Sequence, residues 1–367
     1  MLKFEDIIGK FEIEGTPSAV TPLGHGKIHH TWELRCGDSA YVLQEMNHYV
    51  YKYPTVVMNN LFLVTEYLRG QIAKEGGDSE RETLTFLRTR SGNQLLQTEN
   101  GSYYRLYRMI CSVEEMPKPR TPEEAGEAGR VLGVFARRLA DFPVHLLSET
   151  VPKMHDMRFT LRQLLEAVRA DMCLRTSDCQ EQIQFVLDRS KKVHRIREAF
   201  EEGKIPLRVT HNDTRYNNIL VDQGTGKAIC LIDLDTVMPG ISILDFGDSV
   251  RAADATYDVE ETFGDIELDL DLYRAHLSGY AAEMGAVLTA EEKQLCAYAV
   301  WFSALEQGTR YLIDYLQGDR WSHDFSNERQ NLYRAVNQFF LVLDVEEKME
   351  AMNRIGEEIF AKWRKCS

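Results

Sequence analysis

Residues 210–220 read THNDTRYNNIL and fit the pattern H-x-D-x-x-x-x-N, with Asp213 and Asn218 at the polar positions after the histidine. The chain then turns through QGTGK at 223–227 and returns along AICLI to Asp233. β-Branched residues on both sides of a glycine-bearing turn predict a hairpin. Such a hairpin brings Asp233 back beside Asn218.

The polar groups gathered by this hairpin suit phosphoryl transfer. An amide oxygen from Asn218 and a carboxylate from Asp233 make a hard oxygen site of the kind that Mg²⁺ prefers. Asp213 stands at the mouth of the same loop, where it can orient a hydroxyl nucleophile. Arg215 is placed to offset the charge that develops on a transferring phosphate. We therefore predict that Asp213 and Arg215 are catalytic and that Asn218 and Asp233 bind the metal.

The first third of the chain is rich in residues typical of β-strands. Two hairpins are predicted within 28–46 and 93–110, because β-branched and aromatic residues flank glycine-bearing turns there. Between them, the apolar residues of 54–70 fall at helical spacing. These elements predict a small, β-rich N-terminal lobe, which we place at residues 1–112.

A junction follows this lobe, where three prolines stand among charged residues between 114 and 124. Thr121 then fits a helix cap, with Pro122 at the first helical position. Amphipathic helical patterns dominate the sequence beyond it, apart from the β-rich stretch 208–238. We therefore predict an α+β fold whose larger, mostly helical C-terminal lobe spans residues 113–367 and carries the hairpin as an insert.

A second motif competes for the metal. Asp245-Phe246-Gly247 reads as the D-F-G of protein kinases, whose aspartate binds Mg²⁺. We reject that assignment because Asp233 already closes the hairpin, and we expect Asp245 to start a helix and brace the catalytic loop by hydrogen bonds. Asp235 lies two residues beyond Asp233, so both carboxylates share a face if the strand continues. A contact with metal or sugar and a purely structural role for Asp235 both stay open.

The sequence resembles the kinase-like phosphotransferase superfamily of aminoglycoside and choline kinases over nearly its whole length, and within it the N-acetylhexosamine 1-kinase family. The segments that carry the resemblance are YVLQEMN at 41–47, ETVPKMHD at 149–156, HNDTRYNNIL at 211–220, IDLDTVMPG at 232–240, LDFGDSVR at 244–251 and RYLIDYLQGDRW at 310–321. The resemblance implies a two-lobed, protein-kinase-like fold, with Asp213 as the catalytic aspartate and Asn218 and Asp233 as magnesium ligands. It also implies that ATP phosphorylates an N-acetylhexosamine, GlcNAc or GalNAc, at the anomeric C1 hydroxyl.

The same resemblance implies how the sugar is bound. Arg310 and the aromatic residue at position 321 are expected to contact the hexosamine beside Asp213, although the family more usually has tyrosine where this sequence has Trp321. An indole still stacks on a sugar face, but the phenol hydroxyl is lost, so the substrate preference can shift. Without the resemblance, a salt bridge to Asp314, one helical turn further on, is the simpler interpretation of Arg310.

The N-terminal loop departs from the family pattern. GKIHHTW at 26–32 stands where the family tends to show G-H-I-N-D-T-Y, so the cation of Lys27 can approach the ATP phosphates. The same change makes His29 and His30 neighbours. Adjacent strand residues point to opposite faces, so we expect a surface or substrate-edge role for this pair rather than a metal site.

The strand position that usually clamps the nucleotide is also altered. Kinase-like folds place a Lys or Arg where this sequence has Gln44, and a neutral amide clamps phosphate weakly. The resembled family shares this glutamine. Arg105 and Arg108, on the last strand of the N-terminal lobe, are alternative cations. We expect the adenine to lie between the lobes, against the backbone near Arg108, Met109 and Ile110.

Composition argues against several classes of partner. The 367 residues carry 43 Lys+Arg against 57 Asp+Glu, and a formal net charge of −14 argues against nucleic acid and anionic membrane surfaces. No apolar run approaches the roughly 20 residues of a membrane-spanning helix. The seven cysteines form no C-x-x-C pair, and the opening MLKFEDIIGK has no apolar signal segment. We expect a cytoplasmic enzyme that binds ATP, Mg²⁺ and a small sugar; its oligomeric state stays open.

Two other functions remain possible from the sequence. A kinase for an aminoglycoside, choline or homoserine fits the acidic net charge, because a cationic substrate favours an acidic pocket, whereas Arg310 argues against it. A non-catalytic, nucleotide-binding pseudokinase is suggested by Gln44 and the altered glycine loop. The intact Asp213, Asn218 and Asp233 oppose that second alternative.

Overall fold

An antiparallel sheet forms the N-terminal part of the protein. The computed structural model describes residues 4–24, 28–37, 39–256, 264, 266–320 and 329–363. The strands of this sheet are β1 (Ala19–Pro22), β2 (His30–Cys36), β3 (Ser39–Met46), β4 (Phe86–Leu87), β5 (Leu96–Gln97) and β6 (Tyr103–Arg108), and the accompanying helices are α1 (Phe4–Ile8) and α2 (Pro54–Glu75). The strand order is β1-β2-β3-β6-β4, with β5 paired to β6. Both predicted hairpins are confirmed, the second with shorter strands than predicted.

The two faces of this sheet bury different residues, because side chains alternate along a strand. Leu43 and Leu106 pack beneath α1 on one face. The other face meets α2, whose Phe62 ring lies 6.0 Å from the ring of Phe86 on β4. Gln44 on β3 is paired directly with Arg105 on β6. Both residues lie an even number of positions from the residues of this second face, so their side chains share that face.

Helices make up most of the remainder. They are α3 (Pro122–Arg138), α4 (Met157–Ala170), α5 (Gln180–Arg189), α6 (Arg195–Glu201), α7 (Ser242–Ala253), α8 (Leu270–Met284), α9 (Ala290–Leu316) and α10 (Gln330–Phe360). The short strands among them are β7 (Val113–Glu115), β8 (Arg208–Thr210), β9 (Ile219–Asp222), β10 (Ala228–Leu231) and β11 (Met238–Gly240). β9 and β10 form the predicted hairpin, and β8 pairs with β11. The predicted α+β class is thereby confirmed.

Buried polar contacts join the elements that surround this hairpin. Arg208, at the start of β8, donates to the Glu292 carboxylate near the beginning of α9. The Ser242 hydroxyl, at the start of α7, donates to the same carboxylate. One buried anion therefore fixes β8, α7 and α9 relative to one another, and the loop that leaves β8 starts from a rigid base.

The predicted division between residues 112 and 113 stays a prediction. The N-terminal sheet ends at Arg108, and the next strand, β7, pairs instead with β9 of the C-terminal hairpin. Thr121 caps α3 as predicted, because its hydroxyl accepts from the N–H of Glu124 and the Glu124 carboxylate accepts in return. Within the described residues, no helix is both long and apolar enough to cross a membrane.

The contact between α3 and α8 requires a glycine. A Cβ built on Gly129 would lie 2.0 Å from the carbonyl oxygen of His276. We expect Gly129→Ala to lower the free energy of unfolding by about 2–3 kcal/mol, because two helices must separate to admit one methyl group. Urea denaturation followed by circular dichroism measures the change.

Gly70 provides the matched control for this prediction. It also lies inside a helix, but a Cβ there meets nothing within 4 Å. Gly70→Ala should raise the free energy of unfolding by up to about 1 kcal/mol, since alanine loses less backbone entropy on folding. Equal effects of the two substitutions would contradict the close approach of α3 to α8.

Candidate active site

The loop after β8 holds an aspartate between two donors. The Asn218 side-chain NH₂ donates to both the backbone oxygen and Oδ2 of Asp213, at 2.9 and 3.0 Å. Nε of Arg215 donates to Oδ1 of the same aspartate at 3.1 Å. The Asp213 side chain remains 30% exposed, so an acceptor hydroxyl can still reach its free lone pairs.

Helix α7 braces this loop from behind. Both oxygens of Asp245 accept backbone N–H groups, from His211 at 2.7 Å and from Asn212 at 2.8 Å. Asn212 has a φ of 66°, a left-handed conformation that such a clamp stabilises. The predicted bracing role of Asp245 is therefore confirmed.

The apparent D-F-G motif lies within α7 rather than at the end of the hairpin. Phe246 is fully buried, and a Cβ on Gly247 would lie 2.4 Å from the carbonyl oxygen of Ala299 on α9. The glycine thus allows two helices to touch. The three residues thus pack α7 against α9 and brace the loop after β8.

The hairpin places Asp233 beside the loop. The N–H of Ile232 donates to the carbonyl oxygen of Asn218 at 2.9 Å, so the chain reaches Asp233 one residue beyond a direct contact with the loop. Asp233 has a φ of 57°, and a 3-10 turn over Leu234–Thr236 follows it. The strand therefore ends at Leu231, before Asp233, so the condition under which Asp233 and Asp235 would share a strand face is not met.

The two acids differ sharply in their partners. Within the described part of the chain, the Asp233 carboxylate has no hydrogen-bond partner. Asp235 is 1% exposed and accepts from Nε2 of His29 at 2.6 Å and from Nη2 of Arg105 at 2.9 Å, with Nη1 of Arg105 on its other oxygen. The surface alternative is therefore wrong for His29, which is buried against Asp235, whereas its substrate-edge alternative stays a prediction; His30 is exposed.

Electrostatics follows from this unequal pairing. Burial raises the pKa of Asp233 to about 7, and the charges of Asp235 and Asp213 add to the effect. Burial also disfavours ionisation of Asp235, but Arg105 and His29 outweigh it and hold the pKa of Asp235 below its usual range. Asp235 is thus paired with an arginine of the N-terminal sheet, whereas Asp233 has no such partner among the described residues.

The donors that remain suit a hard divalent cation. Asn218 spends its NH₂ on Asp213, which leaves its amide oxygen for a ligand. The unpaired carboxylate of Asp233 supplies a second oxygen. Among the described residues, no three His, Cys, Asp or Glu side chains form a metal cluster, so a cation here needs further oxygens from phosphates or water. The residue types fit Mg²⁺ held between protein and nucleotide.

In the N-terminal sheet, Gln44 occupies the strand position where a Lys or Arg is expected, and Arg105 lies beside it. Oε1 of Gln44 accepts from Nε of Arg105 at 2.8 Å, and its amide nitrogen donates to Thr31 at 3.1 Å. Arg108 instead pairs with Glu14 at 2.7 Å, and the N–H of Met109 donates to Ala40. Lys27 and Trp321 lie outside the described residues.

A second polar cluster lies beside the catalytic loop. Nδ1 of His155 lies 2.6 Å from Oε2 of Glu306 on α9, and Arg310 is exposed one turn further along the same helix. Burial opposes protonation of His155, but the Glu306 charge outweighs it and raises the pKa of this histidine. Sequence reasoning did not single out this pair, although the segment 149–156 carried part of the resemblance.

The chain is similar to a known protein family and to several solved structures. The model of the phosphotransferase enzyme family, APH, matches residues 20–286. An aminoglycoside phosphotransferase from Alicyclobacillus acidocaldarius is 12% identical, with a TM-score of 0.61 over 98% of this chain and 97% of that one. A microcompartment-associated aminopropanol kinase is 15% identical, with a TM-score of 0.60 over 94% and 96%.

A third structure carries ligands. An amicoumacin kinase in complex with AMP-PNP, Ca²⁺ and Ami is 13% identical, with a TM-score of 0.55 over 95% of this chain and 90% of that one. Identities this low show the fold alone. The predicted two-lobed, protein-kinase-like fold is confirmed by these likenesses.

The unpaired Asp233 generates a prediction about stability. Its raised pKa means that the folded protein binds more protons than the unfolded chain between about pH 4 and 7, so its contribution to stability is lost as the pH rises. In metal-free protein we expect Asp233→Asn to raise the free energy of unfolding by at least about 1 kcal/mol at pH 8, and by less at pH 5. Asparagine also tolerates the left-handed backbone at this position.

Asp222, at the end of β9 in the same hairpin, is the matched control. Hydrogen bonds from Thr225 and Arg81 lower the pKa of Asp222 to about 2, so its charge stabilises the fold above the unfolded value near 3.8. Asp222→Asn should therefore lower the melting temperature at pH 8. A loss of stability in Asp233→Asn at both pH values would contradict the unpaired state of that carboxylate.

Proposed function

The chain belongs to the phosphotransferase enzyme family, and on that premise we propose that it transfers the γ-phosphoryl group of ATP to the anomeric C1 hydroxyl of an N-acetylhexosamine, with Mg²⁺ as cofactor. The observation that carries the proposal is the hydrogen bonding of Asp213, Asn218 and the neighbouring Asp233. One amide orients the nucleophile-binding carboxylate with its nitrogen and keeps its oxygen free. The neighbouring carboxylate is unpaired.

Asp213 is the group proposed to receive the sugar hydroxyl. Its two oxygens are held by Asn218 and Arg215, so an incoming hydroxyl that donates to the remaining lone pairs is aimed in a fixed direction. Asn218 and Asp233 would hold Mg²⁺, which supplies charge neutralisation across the phosphates when bound. Arg215 keeps a guanidinium beside the reacting oxygen, where negative charge grows during transfer.

The acceptor side favours a neutral, oxygen-rich substrate. Arg310 is exposed on α9, next to the His155–Glu306 pair. His155 is paired with Glu306, whose charge raises the pKa of this histidine. Arginine forks bind hydroxyl and acetamide oxygens, whereas they repel the ammonium group of a choline-like acceptor. We therefore prefer a sugar to the amine substrates that the structural relatives' names suggest, and Trp321 is proposed as the stacking partner.

The nucleotide is proposed to bind between the sheet and the hairpin. The 1–112 lobe would contact the adenine through the backbone near Arg108, Met109 and Ile110, with Lys27 and Gln44 toward the phosphates. Gln44 accepts a hydrogen bond from Arg105, whose guanidinium is in turn paired with Asp235. A non-catalytic role is disfavoured because all three catalytic positions keep their acid or amide groups.

One acceptor panel tests the proposal directly. Purified protein is incubated with Mg-ATP and GlcNAc, GalNAc, glucose, choline or kanamycin, and the product is examined by phosphorus NMR. We expect an anomeric phosphate on an N-acetylhexosamine, and a loss of about three orders of magnitude or more in kcat for Asp213→Asn with an unchanged melting temperature. Turnover of only an amine-bearing acceptor, or of none, would overturn the substrate assignment.

Arg310 is the residue that should separate acceptor binding from nucleotide binding. We expect Arg310→Met to raise the KM for the sugar by about 10- to 100-fold, because a charge-assisted hydrogen bond is lost. The KM for ATP should stay within about twofold. Arg274→Met is the control, since Arg274 is an exposed arginine on α8 that pairs with Glu358. Equal effects of the two substitutions would remove Arg310 from the sugar site.

A further inference from the structure

A buried arginine links the N-terminal sheet to the turn that follows the hairpin. Arg105 is 4% exposed, although it carries a full charge. Its Nη1 and Nη2 donate to the two oxygens of Asp235, and its Nε donates to Gln44 at 2.8 Å. This fork-to-carboxylate geometry fixes both distance and orientation, which a lysine in the same place cannot do.

A histidine secures the same carboxylate from the loop before β2. The backbone N–H of Asn47 donates to Nδ1 of His29 at 3.0 Å, so that nitrogen carries no proton. The proton therefore lies on Nε2, which donates to Oδ2 of Asp235 at 2.6 Å. The ring also stacks on Tyr51 at a centroid distance of 5.6 Å.

The turn that contains Asp235 begins with a residue in an unfavourable backbone conformation. Asp233 adopts a left-handed φ of 57°, which for a residue other than glycine needs support from its surroundings. Asn60 of α2 supplies a further anchor, because its Nδ2 donates to the carbonyl oxygens of Val237 at 2.9 Å and Ser148 at 2.7 Å. Strand β6, the loop before β2, and helix α2 thus all grip the segment from Asp235 to Val237.

We propose that Arg105, oriented by Gln44, is a positioning residue whose fork on Asp235 holds the turn so that Asp233 presents its unpaired carboxylate beside Asn218. This assignment explains why Gln44 is neutral. A lysine or arginine there would stand opposite Arg105 and repel it, whereas an amide oxygen accepts its Nε. It also explains why two acids two residues apart have different partners. Asp235 is bound by Arg105 and His29, and Asp233 stays available for the proposed cation.

Arg105 is therefore distinct from a phosphate ligand. Its Nε and both terminal nitrogens already donate to protein oxygens, and its side chain is buried. A cation that reaches phosphates must expose donors in the cleft. The inference rests on the proposed metal role of Asp233. The experiment therefore tests the metal role of Asp233 and the positioning role of Arg105 with separate variants.

The experiment compares Arg105→Lys with Arg138→Lys. Arg138 is the matched control, because it is similarly buried at 9% exposure and donates to Glu75 and Glu82 rather than to Asp235. For each variant, Mn²⁺ is titrated into the protein saturated with AMP-PNP, and free Mn²⁺ is measured by electron paramagnetic resonance. The affinity for AMP-PNP without metal, the sugar KM and the melting temperature are measured in parallel.

We expect Arg105→Lys to weaken Mn²⁺ binding by about tenfold or more, since residues that orient metal ligands typically have effects of this size. Metal-free AMP-PNP affinity and the sugar KM should stay within about twofold. Gln44→Leu, which removes only the Nε acceptor, should weaken Mn²⁺ binding by about threefold. Arg138→Lys should leave Mn²⁺ affinity unchanged, even if its melting temperature falls as far as that of Arg105→Lys.

Three outcomes would overturn the proposal. They are unchanged Mn²⁺ affinity in Arg105→Lys, an equal loss in Arg138→Lys, and a loss of metal-free AMP-PNP affinity that matches the loss for Mn²⁺, which would make Arg105 a phosphate contact. Asp233→Asn separates this failure from that of the proposed function. If Asp233→Asn abolishes Mn²⁺ binding while Arg105→Lys does not affect it, the metal site stands and the positioning role falls.

Discussion

Repulsion among three crowded aspartates is the constraint around which this site is built. Asp213, Asp233 and Asp235 lie close enough for their charges to affect one another. Asp213 accepts from Asn218 and is paired with Arg215, whereas Asp235 accepts from His29 and is paired with Arg105. Asp233 receives no such partner among the described residues.

The scaffold places these charges with short, rigid connections. Asp245 binds the first two N–H groups of the catalytic loop, and the buried Arg208–Glu292 pair ties the preceding strand to α9. The hairpin returns its second strand to the carbonyl of Asn218. Because each functional side chain is one or two residues from a buried hydrogen bond, small shifts of the loop are costly, and the arrangement is preorganised.

Local patterns predict much of this arrangement, and long-range contacts account for the remainder. The hairpin, the helix that starts near Asp245 and the Thr121 cap follow from spacing and propensity, which act over a few residues. The burial of His29 does not, because its partner Asp235 is 206 positions away in the sequence. The left-handed turn at Asp233 escapes a strand-alternation argument for the same reason: its support comes from Arg105 and Asn60, on other elements.

The altered strand position illustrates why a motif must be judged in space. Taken by sequence, Gln44 removes a cation and favours a pseudokinase. In the sheet, Gln44 is paired with Arg105, so the positive charge lies on the adjacent strand, where it is bound to Asp235. A partly buried, unpaired carboxylate at Asp233 lowers stability, and groups that do so concentrate at functional sites. Arg105 and His29 bond to Asp235 and not, among the described residues, to Asp233, so two acids that lie two positions apart in the sequence differ because of contacts from distant elements.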